Sequence, residues 1–410
     1  MGLLAIEWAP LDLIRGGNYA AAAASLGSGW PGIGEKPARR GMANREYALL
    51  LLACGVLSIR LGRTREGKTL AAAKDMLSES ARLLSGQPEQ HAAQLYLGTA
   101  YSDAGEYNEA LAIADIALNT ESDSEVVIGA SVLKATAFKR QGFLQKAWET
   151  LESVKSLAEA VSPVFRGNYF IERGNVQRRL QNLDQAIADY DEAEECFLSA
   201  GSVLYVGVTL NNVSNVYIEQ GRFSLAHNAA TRAVHLFQKL GDRAFEARAL
   251  DQSAKIFLAQ NSPFEAEPLA RRAVALLQVG DNQAWLAEAL ITHGRSLMSM
   301  GTDRALAQLE LASKICETIG DHVQGEEASE ELLNLFKNTR TLNQKFRDVL
   351  TRIEHSVIKH ALKLHGNRIP PAAQSLGITR QLLLKKLSTM SDCAPTKRRR
   401  AKSLFGKRGF

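Results

Sequence analysis

The sequence predicts an all-α fold: a solenoid of antiparallel helix hairpins followed by a small helical domain. Three observations predict it. Only ten prolines occur in 410 residues rich in Ala, Leu, Gln and Glu, a composition that leans towards helix. The small residues Gly174, Ser214, Ala254 and Gly294 recur every 40 residues, as stacked hairpins require. The charge is also divided along the chain. The net +5 conceals 17 lysines and arginines against three acids in 340–410, which is +14 and leaves the preceding 339 residues at −9. An acidic body with a basic end confines any polyanion contact to the end, the plainer alternative being a solvated basic tail.

Composition also excludes several classes. Hydrophobic residues make up 46% and charged residues 23%, as in an ordinary soluble protein. Cys54, Cys196, Cys316 and Cys393 lie far apart with no CxxC pair, which argues for a reducing compartment and against a disulfide framework or a zinc site. Glu7, Trp8 and Pro10 stand where a signal peptide needs a basic start and an unbroken apolar run. The most apolar stretch, 48–59, spans twelve residues, whereas a bilayer needs about 20. A buried helix in a cytoplasmic protein, with no membrane partner, is the expectation. No phosphate loop, HExxH, GxSxG elbow or dinucleotide fingerprint is present. His355, His360 and His365 follow at steps of five, which cannot share one metal-facing side of a helix. The acidic run 189–195 reads as a solvated helix face. Neither enzyme activity nor a metal or cofactor is expected.

The hairpins follow in order. Segments 13–26 and 45–84 are degenerate versions. The clearest copy is 95–117, with Leu97, Gly98 and Tyr101 on a first helix, Gly105 and Tyr107 at the turn, and Ala110, Ala114 and Ala117 on a second. Later copies carry Ala135, Phe138, Gly142 and Ala147; Gly174, Ala186, Tyr190 and Ala193; Ser214, Tyr217, Gly221, Ala226 and Ala233; Ala254, Phe257, Ala266 and Ala270; and, with a one-residue slip, Gly294, Leu297, Gly301 and Ala305. Turn pairs Gly201-Ser202, Gly241-Asp242, Gly280-Asp281 and Gly320-Asp321 mark the same period. Small residues let the two helices of a hairpin approach closely, and an aromatic fills the gap against the next. These motifs resemble the tetratricopeptide repeat over roughly residues 10 to 325, in the long-helix form used by bacterial regulators. The resemblance implies a concave face built from first helices, used for protein or peptide recognition. On that face it places Thr99, Thr136, Asn175, Asn215, Lys255 and Arg295, with Arg178, Asn211 and Asp251 beside them. Amides and cations of this kind clamp a peptide backbone or a carboxylate.

Beyond Asp321 the repeat stops. Residues 326–341 read as a linker helix and joint, 342–390 as a helical domain and 391–410 as a disordered basic tail. An amphipathic stretch carries Phe346, Leu350, Ile353, Val357, Ala361 and Leu364 at helical steps. Gly366-Asn367 breaks it. Pro370 and Pro371 suit a helix start, Gly377 a turn with positive φ, Ile378 a core plug and Thr379 a cap. Leu383 and Leu387 face inward, leaving Arg380, Gln381, Leu384, Lys385 and Ser388 outward. The segment 366–387, with Glu354, Ile358, Ala361 and Leu362 ahead of it, resembles the Fis-family helix-turn-helix that also ends NtrC-type activators.

That resemblance implies duplex DNA as a partner, with Arg380 on guanine, Gln381 on adenine, Lys385 and Lys386 on phosphates, and Asn367 and Thr379 against the backbone. A homodimer through 342–364 would read two half-sites. Leu382 and Leu384 depart from the family's polar, aromatic or basic residues, and Ile369 to Pro371 from its polar start. No NtrC-type ATPase module precedes the motif. Two functions remain open: a nucleoid-associated transcription regulator with a partner-binding solenoid, or a scaffold whose basic end is a cap and anchoring tail.

Overall fold

A computed structural model describes residues 8–61, 68–120, 123–278, 283–301, 304–319, 325, 327–332, 355, 357–359, 361, 362 and 365–389. Among them the regular structure is helical, without a strand, and no helix is long and apolar enough to cross a membrane. The chain divides into two compact units that part between Leu332 and Leu333.

The first unit is a row of helix pairs: α1 (Ala9–Arg15) with α2 (Tyr19–Leu26), α3 (Asn44–Leu61) with α4 (Lys68–Leu83), and α5 (Glu89–Asp103) with α6 (Tyr107–Thr120). Then come α7 (Ser124–Arg140) with α8 (Leu144–Glu152), α9 (Pro163–Arg179) with α10 (Leu183–Ser199), and α11 (Val203–Glu219) with α12 (Phe223–Leu240). The row ends with α13 (Arg243–Ala259) and α14 (Pro263–Gln278), then α15 (Gln283–Ser299) and α16 (Arg304–Ile319). The small residues do what their spacing requires. Ala110, Ala114, Ala186, Ala193, Ala226 and Ala266 have no exposed surface. Hairpin turns reverse at Gln181, Gly221, Asn261 and Gly301, 40 residues apart, with φ between 57° and 71°. After three of them a backbone N–H returns to the first helix, as in Arg222 N–H to Tyr217 O at 2.8 Å, the Schellman closure. Gly201 and Gly241 take positive φ between hairpins; Gly280 and Gly320 lie outside the described residues.

The close approach has a specific form. A Cβ at Gly167 would lie 2.7 Å from the Phe197 ring, and one at Gly207 2.6 Å from the Phe237 ring. Each of these rings then stacks on the first helix of the next pair: Phe197 on Tyr205 at 5.1 Å and Phe237 on Phe245 at 5.2 Å. Phe245 meets Trp285 edge-on at 5.3 Å. A ring seated in a glycine notch and capped by the next ring is therefore the unit of stacking from α9 to α13, and Phe245 against Trp285 carries the ring contacts on to α15.

Two expectations need correction. The run 189–195 is not uniformly solvated: Asp189 is 2% exposed and pairs with the Arg173 guanidinium, Oδ1 to Nε at 2.8 Å. Arg173 in turn sits over the rings of Trp148, Tyr169 and Phe170. The guanidinium makes a buried carboxylate tolerable, which charge counting does not reveal. The segment 13–26 is a hairpin, but it does more than extend the row. Gly17 lies against Leu204 and Tyr205 of α11, and Tyr19 Oη is 2.8 Å from Tyr205 Oη. The N-terminal hairpin thus spans from α3 to α11.

Gly207→Val drives a branched side chain into the Phe237 ring. Unfolding by urea is expected to show a loss of about 1–3 kcal/mol, partly recovered by adding Phe237→Leu. Burial outweighs Arg173 and pushes Asp189 up to about 6. A raised acid binds its proton more tightly in the folded state, so its contribution is full at low pH and is lost as pH rises through about 6. Asp189→Asn is expected to flatten the fall in unfolding midpoint between pH 4 and pH 7.

Candidate nucleic-acid interface and solenoid cavity

In the second unit a short helix, Ile369–Ser375, and a longer one, Arg380–Thr389, meet at a tight turn. Pro370 and Pro371 stand in the first turn of the short helix, where a missing N–H costs nothing. Gly377 has φ +63°, and Ile378 N–H returns to Ala373 O at 3.0 Å. Thr379 Oγ1 accepts from Leu382 N–H at 3.2 Å, capping the longer helix. Leu383 and Leu387 join Ile358, Ala361, Leu362, Ala372 and Ala373 in one apolar cluster, with Ile378 packed at its side. The opposite face of the longer helix carries Arg380, Gln381, Leu384, Lys385 and Ser388, all exposed, with Lys386 half-buried at its edge. Gly366 and Asn367 both take left-handed φ, +58° and +60°, and leave Asn367 exposed ahead of the short helix.

The inner side of the first unit holds a cavity of about 470 Å³. Its wall comes from the first helices α3, α7, α9, α11, α13 and α15, together with Tyr19 of α2. Seven cations line it, Arg60, Lys139, Arg140, Arg178, Arg179, Arg248 and Lys255, against the carboxylates Glu172, Asp251 and Glu288. Lys139 binds Glu172 at 2.7 Å; burial, and then Arg140 and Arg179, lower its pKa. Lys255 joins Asp251, at 2.8 Å, to Glu288. Its charge holds Glu288 down to about 2, while burial pushes Asp251 up.

Residues 349–389 match the family described as bacterial regulatory protein, Fis family. Solved structures similar to the chain are repeat proteins. One is the STAND signal-transduction ATPase with a tetratricopeptide repeat sensor from Pyrococcus horikoshii, 14% identical with a TM-score of 0.51, over 83% of this chain and 55% of that one. Another is apo RapI, 12% identical with a TM-score of 0.50, over 83% of this chain and 98% of that one. A third is the APC/C hetero-tetramer Cut9-Hcn1, 14% identical with a TM-score of 0.50, over 85% and 63%. The chain joins a tetratricopeptide-type solenoid to a Fis-type helix-turn-helix. No curated protein matches it in sequence.

The solenoid brings most of the expected track to one place. Thr136, Asn175, Arg178, Asn211, Asn215, Asp251 and Lys255 all line the cavity. Several are already engaged. Asn175 Oδ1 accepts from Tyr190 Oη at 2.8 Å and its Nδ2 donates to Glu172. Arg178 pairs with Glu219 at 3.2 Å, and Asn215 Nδ2 donates to Asn211 O at 3.1 Å. Arg295 is not in the wall; it pairs with Glu327 and Glu331, both at 2.8 Å. Sequence reading missed Arg140 and Arg179, although the doublets Lys139-Arg140 and Arg178-Arg179 close two first helices and were a visible signal. Nothing local marks Tyr19 or Arg60. In the helix-turn-helix, Val357 departs from the expected apolar face: it is 41% exposed, and Ile358 takes the inward place. Phe346, Leu350, Ile353 and Leu364 lie outside the described residues.

Proposed function

We propose that this protein is a DNA-binding transcription regulator in which the helix-turn-helix takes duplex DNA and the concave face of the solenoid takes a protein or peptide partner. The observation that carries the first half is the division of the helix Arg380–Thr389. Leu383 and Leu387 hold its inner face in the apolar cluster, and Arg380, Gln381 and Lys385 stand exposed on the other. Such a helix fits the major groove, where Arg380 matches the two acceptors of guanine and Gln381 the donor–acceptor pair of adenine. Lys385 and Lys386, at the far end, suit phosphates, and Asn367 and Thr379 suit the backbone beside the groove. The +14 of residues 340–410 supplies sequence-independent attraction and nucleoid residence. Pairing of two copies through 342–364 would present two such helices to two half-sites. The family match over 349–389 supports DNA binding, and the tetratricopeptide-type fold supports a polypeptide partner.

Leu382 and Leu384, 40% and 38% exposed, place apolar surface where the family the segment resembles has a small polar residue and an aromatic or basic one. They also favour contact with thymine methyls over phosphates.

The test is binding of the intact protein to labelled duplexes selected from a random pool, read across salt concentrations. Arg380→Ala is expected to cost about 1–3 kcal/mol on the selected site and to relax preference at one position. Lys385→Ala is expected to weaken all duplexes alike and to reduce the slope of log K against log salt by about one. A protein that retains no duplex even at low salt would leave the scaffold reading in its place.

A further inference from the structure

The N-terminal hairpin is joined to the row differently from the pairs that follow. Three residues, 200–202, separate α10 from α11 and two, 241–242, separate α12 from α13, but seventeen, 27–43, separate α2 from α3. From Gly29 onward this connection is tied to α3. Cys54 Sγ lies 3.8 Å from Gly29 O, Gly34 N–H donates to Ser58 Oγ at 3.0 Å, and Tyr47 Oη donates to Pro37 O at 3.3 Å. Ahead of it Gly27 and Ser28 are exposed. Gly27 has φ +51° and ψ −125°, a conformation open to glycine and costly for other residues, and a Cβ there would meet nothing within 4 Å. The chain thus has a free joint between the hairpin and its anchored connection.

The hairpin is also held lightly. Residues 9–26 bury Pro10, Leu11, Ile14, Tyr19 and Ala22, five of eighteen, whereas α3 buries thirteen of eighteen. Elements with little buried apolar surface open locally well before the whole fold does. The hairpin rests on α11 at two places. A Cβ at Gly17 would stand 3.3 Å from Leu204 Cβ, and Tyr19 Oη shares a 2.8 Å hydrogen bond with Tyr205 Oη. Arg60 of α3 lies beside this contact. Burial works against its charge, while Tyr19, Tyr205, Asp103 and Tyr96 outweigh that cost and raise its pKa. Tyr19, Arg60, Leu204, Tyr205 and Val208 all line the cavity, so the hairpin covers part of the inner face.

We propose that the hairpin 9–26 is an autoinhibitory clasp: closed, it covers Arg60, Leu204 and Tyr205, and lifted about Gly27 it yields them to a partner. A partner that needs these residues binds only the open fraction, so its affinity falls by that fraction. This rests on the reading of the concave face as a partner-binding surface. The opening itself is measured without a partner, so the clasp and that reading fail separately.

Hydrogen exchange of the full-length protein, followed by mass spectrometry, reads the opening. Peptides from 9–26 are expected to exchange about tenfold or more ahead of those from α3 and α11. Tyr19→Phe removes the bridging hydroxyl and is expected to speed exchange in 9–26 roughly two- to tenfold, the worth of one hydrogen bond, with α3 and α11 unchanged. Gly17→Cys with Leu204→Cys brings two Cβ atoms close to disulfide spacing. Oxidised, this variant is expected to slow 9–26 by about tenfold or more; reduced, it is expected to release it. In Leu204→Cys alone, alkylation of the new thiol is expected to quicken when Tyr19→Phe is added, while the buried Cys196 is unaffected. Exchange of 9–26 in step with α3 and α11, unmoved by Tyr19→Phe, would make the hairpin a fixed brace and overturn the clasp. Early exchange that the oxidised cross-link does not slow would be fraying rather than lifting from α11, and would overturn it equally.

Discussion

A phenyl ring pressed into a glycine notch and covered by the next ring is the contact on which the middle of the solenoid, α9 to α13, depends. Phe197 over Gly167 meets Tyr205; Phe237 over Gly207 meets Phe245. Only a residue without a Cβ lets the ring approach to this depth, and only a flat side chain fills the notch while presenting a face to the following hairpin. Occurring twice, 40 residues apart, the arrangement sets α9 against α11 and α11 against α13. Offset and edge-on ring pairs contribute about 0.5–1.5 kcal/mol beyond their buried area, and the repeated alanines supply closeness without volume.

The cavity on the inner face is a by-product of that stacking. Tyr205 and Phe245 take part in the ring contacts and also line the cavity. The helices that carry them bring Asn211, Gln252, Lys255 and Asp251 to the same side. Low dielectric then works both ways. Where partners are close, as in Lys255 between Asp251 and Glu288, the charges hold one another in place and Glu288 is kept ionised down to about 2. Where no partner is supplied, at Asn211 Oδ1 or Gln252 Nε2, the same environment makes the unmet group costly.

Much of this could be read from residue order alone. The alanine and glycine frame located the hairpins, because close helix contact demands small residues at fixed intervals, and the notch residues obey the same rule. The helix-turn-helix was legible through Gly377, Thr379, Leu383 and Leu387, each of which has one local mechanical task. What escaped was set by tertiary contact. Asp189 lies in a run that looks solvated, and only Arg173, 16 positions earlier, explains its burial. Tyr19 reaches Tyr205 across 186 positions, a pairing no local pattern encodes. Arg295 occupies the expected register of the track, yet Glu327 and Glu331 take it up. Register shows which way a side chain points and not which neighbour captures it.

The most direct measurement is a double-mutant cycle on Phe237 and Phe245, truncating each to Ala alone and together and measuring unfolding free energies of the intact protein. A coupling of about 0.5–1.5 kcal/mol between the two rings is expected, against a scatter of roughly 0.3–0.5 kcal/mol for independent sites. Losses that simply add would mean that the hairpins are held by alanine packing alone and that the ring column is incidental.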